Sequence, residues 1–287
     1  MKAFFEISEL SCSYGEKIVL RIDELTIPKG EMVFIVGQSG CGKSTILEAL
    51  GLMNDTIVKN EKTVFNLYVG DDKVDVTSIW NKDNGILSDI RLKHFSFIFQ
   101  QTNLMKNFNI YENIAIAKML QGASERECMV AVSDILKTVG LESFFVMENG
   151  EWSANSKVYG NPGAASGGQQ QRMAFARAMV SDYDILFCDE PTGNLDPATA
   201  DNLMRYLSEE IARKKDVTSI IVSHDLPMAL KYGHRVIKIF IEKSDSGDYG
   251  LINAQSVFVK DANGVWGKNN QEFDNQSIIE ILKRSHA

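Results

Sequence analysis

Unbroken apolar runs recur along this chain, and each ends abruptly at polar residues. Met32-Val33-Phe34-Ile35-Val36 leads straight into a glycine-rich stretch, Ile185-Leu186-Phe187-Cys188 into Asp189, and residues 218–223 into His224. Runs this short and without alternation suit strands buried on both faces, as in a parallel sheet. Residues 236–241 read as a further strand of the same kind, and Phe95-Ser96-Phe97-Ile98-Phe99 as one that ends at Gln100. Residues 4–12 alternate more loosely and read as a strand, Ser13-Tyr14-Gly15-Glu16 as a turn, and residues 17–27 as further strand. Helical spacing follows the glycine-rich stretch over residues 43–52. It returns over 108–145 with Ile110, Ile114, Ile116 and Leu120, then Val130, Ile135, Leu136 and Val139. Ser124 with Glu127 three residues on forms a capping-box pattern, and Pro197 stands where a helix opens. Strands alternating with helices predict a mostly parallel sheet whose site lies at the strand C-terminal ends.

Two stretches interrupt this order. Residues 54–85 are polar, carry turn signals at Asp71-Asp72 and Asn84-Gly85, and hold one candidate strand at residues 63–69; they read as an expanded β-subdomain. Residues 147–163 are rich in Gly, Asn and Ser and read as a long loop. Beyond residue 242 the composition changes. A turn at residues 244–248 precedes a candidate strand at 255–260 and a short amphipathic helix at 275–283 built on Ile278, Ile279, Ile281 and Leu282. The predicted organisation is therefore a domain over residues 1–243, with a helical lobe at about 104–180, and an extension over 244–287.

The chain has 287 residues and a net charge of −8, which supplies no electrostatic footprint for nucleic acid. No apolar run approaches the roughly 18–20 residues of a membrane span, and Glu6 comes too early for a secretory signal. The chain is expected to be soluble by itself, so that a membrane role would come through a partner. Cys12, Cys41, Cys128 and Cys188 show no C-x-x-C spacing, so they predict neither a zinc site nor a redox pair but free thiols in a reducing cytosol.

The chemistry concentrates in a few strings. Gly37-Gln38-Ser39-Gly40-Cys41-Gly42-Lys43-Ser44-Thr45 is a complete phosphate-binding loop between a strand and a helix. Its glycines let successive backbone N–H groups turn toward phosphate oxygens, and the helix N-terminus behind them favours negative charge. Lys43 is positioned to reach the β- and γ-phosphates of a nucleotide and the Ser44 hydroxyl to ligate Mg²⁺. Asp189-Glu190 closes an apolar strand, where adjacent carboxylates on an extended chain point to different sides and can take different roles. Ser166-Gly167-Gly168-Gln169-Gln170-Gln171-Arg172 opens a helix with a good N-cap in Ser166, a second anion-ready helix terminus.

These strings, in this order and with Gln100, Asp196 and His224 at their spacings, resemble those of an ABC transporter ATP-binding subunit over about residues 1–240. The nearest resemblance is to the lipoprotein-release, macrolide-export and cell-division group, through residues 99–105, Glu112-Asn113 and Thr192-Gly193-Asn194-Leu195-Asp196. The resemblance implies an α/β fold, a P-loop NTPase of ABC type with a mostly parallel core sheet, an antiparallel β-subdomain and a helical lobe. It implies ATP as substrate and Mg²⁺ as cofactor. In it Asp189 holds Mg²⁺, Glu190 polarises the attacking water, and Gln100 reaches the metal and that water. His224 contacts the γ-phosphate, and Tyr14 stacks on adenine, with simple packing of the ring as the alternative. It further implies that two copies pack head to tail, so that Ser166, Gly168 and Gln169 of one close over ATP on the other beside Asn194-Leu195-Asp196. A separate membrane permease is driven by this cycle, placing the chain on the inner face of the cell membrane. The alternative is an ABC-type ATPase without a membrane partner, of the repair, translation or iron–sulfur assembly kind. The chain departs from the family pattern at Ala165, where leucine is usual, and in the longer segments 54–85 and 147–163.

Overall fold

The computed structural model describes residues 2–70, 72–80, 84–148, 151–153, 156–214, 216–245, 247–268 and 271–284. It divides into two compact units, Met1–Arg91 with Ser208–Ala287, and Leu92–Leu207.

The first unit opens with β1 (Ala3–Tyr14) and β2 (Lys17–Pro28), an antiparallel hairpin, followed by β3 (Met32–Val36) and α1 (Lys43–Leu50). β4 (Ile57–Val58), β5 (Val64–Val69), β6 (Asp72–Asp75), α2 (Val76–Ile79) and α3 (Asn84–His94) come next. The second unit holds β7 (Phe95–Ile98), α4 (Ile110–Leu120), α5 (Glu125–Thr138), β8 (Met147–Glu148), β9 (Glu151–Trp152), α6 (Gly167–Val180), β10 (Ile185–Asp189) and most of α7 (Pro197–Lys214). The chain then returns to the first unit with β11 (Thr218–Val222), α8 (Leu226–Tyr232), β12 (Arg235–Lys238), β13 (Phe240–Glu242), β14 (Tyr249–Ile252), β15 (Val257–Lys260), β16 (Trp266–Lys268), β17 (Gln271–Phe273) and α9 (Asn275–Lys283).

Two sheets organise the first unit. In one, β3 lies between β11 and β12 and is parallel to both. Every residue of β3 and β11 is buried, as their unbroken apolar runs predict. The other runs β13-β14-β2-β1-β5-β6, with β4 pairing with β1. Its pairings are antiparallel except that of β14 with β2. The second unit pairs β10 with β7 in parallel, from Ile185 opposite Phe95 to Cys188 opposite Ile98. Phe97 and Phe187 stack across that pair with ring centroids 5.2 Å apart. Helices α4 and α5 pack on α6. The Ser124–Glu127 capping box opens α5, and a second, Asn109–Glu112, opens α4. All four cysteines are buried free thiols.

The structure differs from the sequence expectation in four places. The apolar run 236–241 is two strands: the chain breaks at Ile239, and β12 stays beside β3 while β13 crosses to the other sheet and pairs with β14. Asn84-Gly85, read as a turn, begins α3, because the apolar residues Leu87 and Ile90 are buried at helical spacing. Asp71, of the other turn signal, lies outside the described residues. Within 147–163 the β8–β9 hairpin and short 3₁₀ turns replace a plain loop. Beyond residue 242, where one strand was read in residues 255–260, the described residues form four: β14 joins β13 and β2, and three build outward from β12, β15 pairing with β12, β16 with β15 and β17 with β16.

Two lysines lock helix ends onto these strands. Lys260 Nζ donates to the Leu230 and Lys231 carbonyls in the last turn of α8, at 2.6 and 3.2 Å. Lys238 Nζ donates to the Ile281 carbonyl in the last turn of α9 at 2.7 Å and lies 4.6 Å from the Phe240 ring centroid. A cation at a helix C-terminus satisfies carbonyls that have no intrahelical partner and opposes the negative end of the dipole. Burial, with the charges of Lys268 and Arg284, lowers the Lys238 pKa from 10.5 to about 8. Between those two values the unfolded chain binds more protons at this site than the folded chain does, so the contribution of Lys238 to stability rises with pH. The stability of Lys238→Met relative to the wild type should therefore be highest at pH 7 and fall progressively between about pH 8 and pH 10.5. Urea unfolding of both proteins across this range checks it; a pH-independent difference would contradict it.

Candidate functional site

In the first unit β3 delivers the chain to Gly37 as a fully buried strand. The loop then turns through Gly40 and Gly42 in left-handed conformations, φ 79° and 97°, and Gly42 is the N-cap of α1 without a side-chain cap. The first-turn N–H groups of α1 are therefore left for something other than a capping side chain. Gln38, Ser39, Gly40 and Ser44 are exposed, while Cys41 and Thr45 point into the core. Burial pushes the Cys41 thiol above its ordinary range, against the opposing charge of Lys43. Lys43 Nζ folds back over the loop and donates to the Gly37 and Gln38 carbonyls at 2.9 and 2.8 Å. A phosphate oxygen is a stronger acceptor for that ammonium than a neutral carbonyl. His224 is exposed in the turn between β11 and α8, where Asp225 caps α8 by accepting from the Met228 N–H at 2.9 Å. Tyr14 is 54% exposed at the end of β1, and its hydroxyl lies 3.4 Å from Glu48 Oε2 on α1.

In the second unit β10 ends at Asp189, and Glu190 follows with φ 46°. The expectation of two carboxylates alternating along an extended chain is therefore corrected: Glu190 diverges from Asp189 because its backbone is left-handed. That conformation costs a non-glycine residue about 1–3 kcal/mol and has to be held by its surroundings. Gln171, 1% exposed on α6, holds it. Its Nε2 donates to the Glu190 carbonyl at 3.4 Å and to the Pro191 carbonyl at 2.7 Å, and its Oε1 accepts from Asn194 Nδ2 at 3.0 Å. Gln100 lies two residues beyond the end of β7 rather than in it, and its Nε2 donates to Glu190 Oε2 at 3.3 Å. Gln100, Asp189 and Glu190 thus gather at one end of the β7–β10 pair.

The helix α6 opens with a full capping box. The Gln169 N–H donates to Ser166 Oγ at 3.3 Å and the Ser166 N–H to Gln169 Oε1 at 2.9 Å. Ser166 and Gln169 use both their side chains and their backbone N–H groups on each other, so the N–H groups of Gly167 and Gly168 give this terminus its anion-facing character. Asp196 accepts from the Thr199 N–H at 3.0 Å, and hydrogen bonds from the Thr199 side chain and backbone hold its carboxyl below the ordinary carboxylate range. Gly168 packs toward the backbone of that turn, where an added Cβ would lie 3.6 Å from the Asn194 carbonyl oxygen.

Two residues without a predicted role shape the segment after Gln100. Asn113 is fully buried. Its Oδ1 accepts from the Met105 N–H at 2.7 Å, and its Nδ2 lies 3.0, 3.1 and 2.9 Å from the Met105, Phe108 and Asn109 carbonyls. Arg177 on α6 donates to the Thr102 and Asn103 carbonyls at 2.8 and 2.9 Å, with Asn103 held at φ 46°. The signal for Asn113 and Gln171 was a polar side chain at an apolar-phase position of a helix, which hydrophobic spacing alone reads as noise.

The protein family described as ABC transporter matches residues 20–193 of the chain. The lipoprotein-releasing system ATP-binding protein LolD of Rickettsia prowazekii (strain Madrid E) is 34% identical over 241 residues, covering 83% of this chain and 91% of that protein. The macrolide export ATP-binding/permease protein MacB of Campylobacter fetus subsp. fetus (strain 82-40) is 37% identical over 221 residues, 77% of this chain and 30% of that protein. Among solved structures, the dimeric structure of MJ0796, a bacterial ABC transporter cassette, is similar with a TM-score of 0.64 and 28% identity, covering 82% of this chain and 93% of the other. A post-hydrolysis state of that cassette bound to ADP and Pi gives a TM-score of 0.64 at 27% identity over the same shares.

Asn113→Ala removes the bonds that hold residues 105–109 and leaves buried peptide groups unpaired. It should cost about 2–3 kcal/mol of stability and remove hydrogen-exchange protection from the Met105 amide, which donates to Asn113. Exchange by NMR or mass spectrometry, with protection at Met105 unchanged, would count against this role.

Proposed function

The chain belongs to the ABC transporter family, and on that premise we propose that it is the ATP-binding and ATP-hydrolysing subunit of a transporter complex, closing in pairs on ATP to drive a separate membrane permease. The observation that carries the reading is the presence in one chain of two prepared groups. One is the left-handed glycine loop that opens α1 with Lys43 folded over it; the other is Asp189-Glu190 at the end of a buried strand with Gln100 on Glu190. We assign nucleotide binding to residues 1–243 and treat 244–287 as an extension.

In this reading the N–H groups of residues 37–45 and Lys43 hold the phosphates, and Tyr14 offers its exposed ring to adenine. Glu190 orients and polarises the attacking water, Gln100 positions it, and His224 contacts the γ-phosphate. Ser44, Gln100 and Asp189 offer only oxygen donors, the set that Mg²⁺ takes, so these residues fit that ion. When bound it neutralises phosphate charge. Catalysis then rests on positioning and electrostatics rather than on covalent chemistry.

A second copy supplies Ser166, Gly168 and Gln169 across the nucleotide, beside Asn194-Leu195-Asp196. Ser166 and Gly167 are exposed at the α6 terminus, and the similar cassette MJ0796 is dimeric. Among the described residues no helix is long and apolar enough to cross a membrane. In this reading the permease brings the chain to the inner face of the membrane. The surface we assign to it is the segment 100–108, which borders an open groove of about 300 Å³ lined by Gln101, Thr102, Leu104, Lys106 and Pro162 among others. Leu104 and Phe108 are half-buried, and Met105 is exposed.

Glu190→Gln keeps the side-chain shape and removes the carboxylate. It should bind ATP as the wild type does, lower hydrolysis by about 100-fold or more, and form a dimer in saturating Mg²⁺-ATP by light scattering. Turnover near the wild-type rate would remove Glu190 from the mechanism. Leu104→Asp or Met105→Asp should abolish co-purification with the permease while the ATPase rate of the subunit alone stays within about twofold. Loss of hydrolysis with retained permease binding would make the segment part of the catalytic core.

A further inference from the structure

The phosphate loop is backed by three separate pieces of chain, all at backbone distance. An added Cβ at Gly42 would lie 3.2 Å from the Val19 carbonyl oxygen and 3.4 Å from Leu20 Cβ, both on β2. At Gly37 it would lie 3.2 Å from the Ile239 carbonyl oxygen, at the break between β12 and β13. The tightest approach comes from outside the residues that carry any nucleotide motif. A Cβ at Gly250, in β14, would overlap the Cys41 carbonyl oxygen and would lie 3.1 Å from the Cys41 carbonyl carbon and 2.8 Å from Ile239 Cγ2.

Gly250 is not in the left-handed region, so alanine can adopt its backbone conformation; space alone excludes a side chain. The strand cannot easily withdraw to make that space. Gly250 is paired on one side with Leu20 of β2 and on the other with Ile241 of β13. The group that has to yield is therefore the Cys41 carbonyl. That carbonyl and the Gly42 N–H belong to one planar peptide unit, so tilting the carbonyl away from β14 re-aims the Gly42 N–H at the mouth of the loop.

We infer that Gly250 is a positioning residue for the phosphate loop, with the β13–β14 hairpin acting as the seat that fixes the Cys41–Gly42 peptide in its ligand-facing orientation. The inference rests on the reading that residues 37–45 hold the phosphates of ATP. Gly250 touches no ligand atom; it acts through the Cys41 peptide.

The test is ATP binding by calorimetry, below the unfolding temperature of every protein compared. Gly250→Ala should weaken ATP binding by roughly tenfold or more, beyond any change that its altered Tm accounts for. Leu251→Ala, in the same strand but on its other face, should bind as the wild type does. Gly250→Ala/Ile239→Ala removes the conflict with the Ile239 side chain and leaves that with the Cys41 carbonyl. It should bind ATP as weakly as the single variant does, with Ile239→Ala alone measuring what loss of that buried side chain costs. Wild-type affinity in folded Gly250→Ala, or recovery of affinity in the double variant, overturns the inference. A wild-type chain that binds no ATP overturns the assignment of the loop and this inference with it, whereas binding by the wild type with no loss in the variants overturns the inference alone.

Discussion

A loop that offers its own peptide groups to a ligand can be held only from behind, and it can be held tightly only by other backbone. Residues 37–42 live under that constraint. Upstream, β3 is buried at every position and pinned by parallel ladders on both sides. Downstream, α1 buries Thr45, Ile46, Leu47, Ala49 and Leu50. Between these anchors the loop has no ladder of its own, and it gains rigidity by resting where Gly37 and Gly42 admit no side chain. Lys43 completes the arrangement by bonding carbonyls on the outer surface of the loop. In the reading proposed for residues 37–45, an ammonium already held over the loop lessens the ordering that phosphate binding requires.

The second unit solves the same problem with side chains in place of backbone. Glu190 occupies a left-handed conformation, and Gln171 satisfies the two carbonyls that the turn exposes. Asn103 is the same case further along, with Arg177 bonded to its carbonyl and to that of Thr102. Both supports project from α6, whose N-terminus carries the Ser166 capping box. One helix therefore positions the turn that bears Glu190 and the segment that follows Gln100. Buried amides and guanidinium groups suit this work because each can bond several peptide groups in fixed directions, and because an unmet bond in the interior is costly enough to keep them in place.

What the sequence made legible follows from the same physics. Strands buried on both faces have no freedom to carry polar residues, so β3, β10 and β11 stand out as apolar runs, each stopping at polar residues. Capping boxes are local, and the Ser124 and Ser166 pairs could be read from four residues each. Pairing partners are not local. The run 236–241 contains no signal for the break at Ile239, because β12 and β13 are both apolar and only the third dimension shows that they enter different sheets. Gln171 was hidden by its setting, third in a row of glutamines where only its helical phase distinguishes it. Gly250 was hidden more deeply: nothing within β14 tells that the Cys41 carbonyl stands against it.

The break at Ile239 gives residues 244–287 their place in the fold. β12 is the neighbour of β3 and, on its other edge, the strand from which β15, β16 and β17 are built. From its last residue Lys238 reaches the C-terminal turn of α9; one residue later the chain passes under Gly37, and β13 turns back as β14 against Cys41. Removing β14 would take away both the parallel partner of β2 and the backbone that faces the Cys41 carbonyl. Removing α9 would uncover Ile278 and Leu282 and leave the buried ammonium of Lys238 without its carbonyl. Neither loss stays within the extension, because its hydrogen bonds and those of the strand that carries the phosphate loop share β12. A segment with no nucleotide motif of its own is thereby one strand away from the loop, joined to it through main-chain bonds that do not depend on side-chain identity.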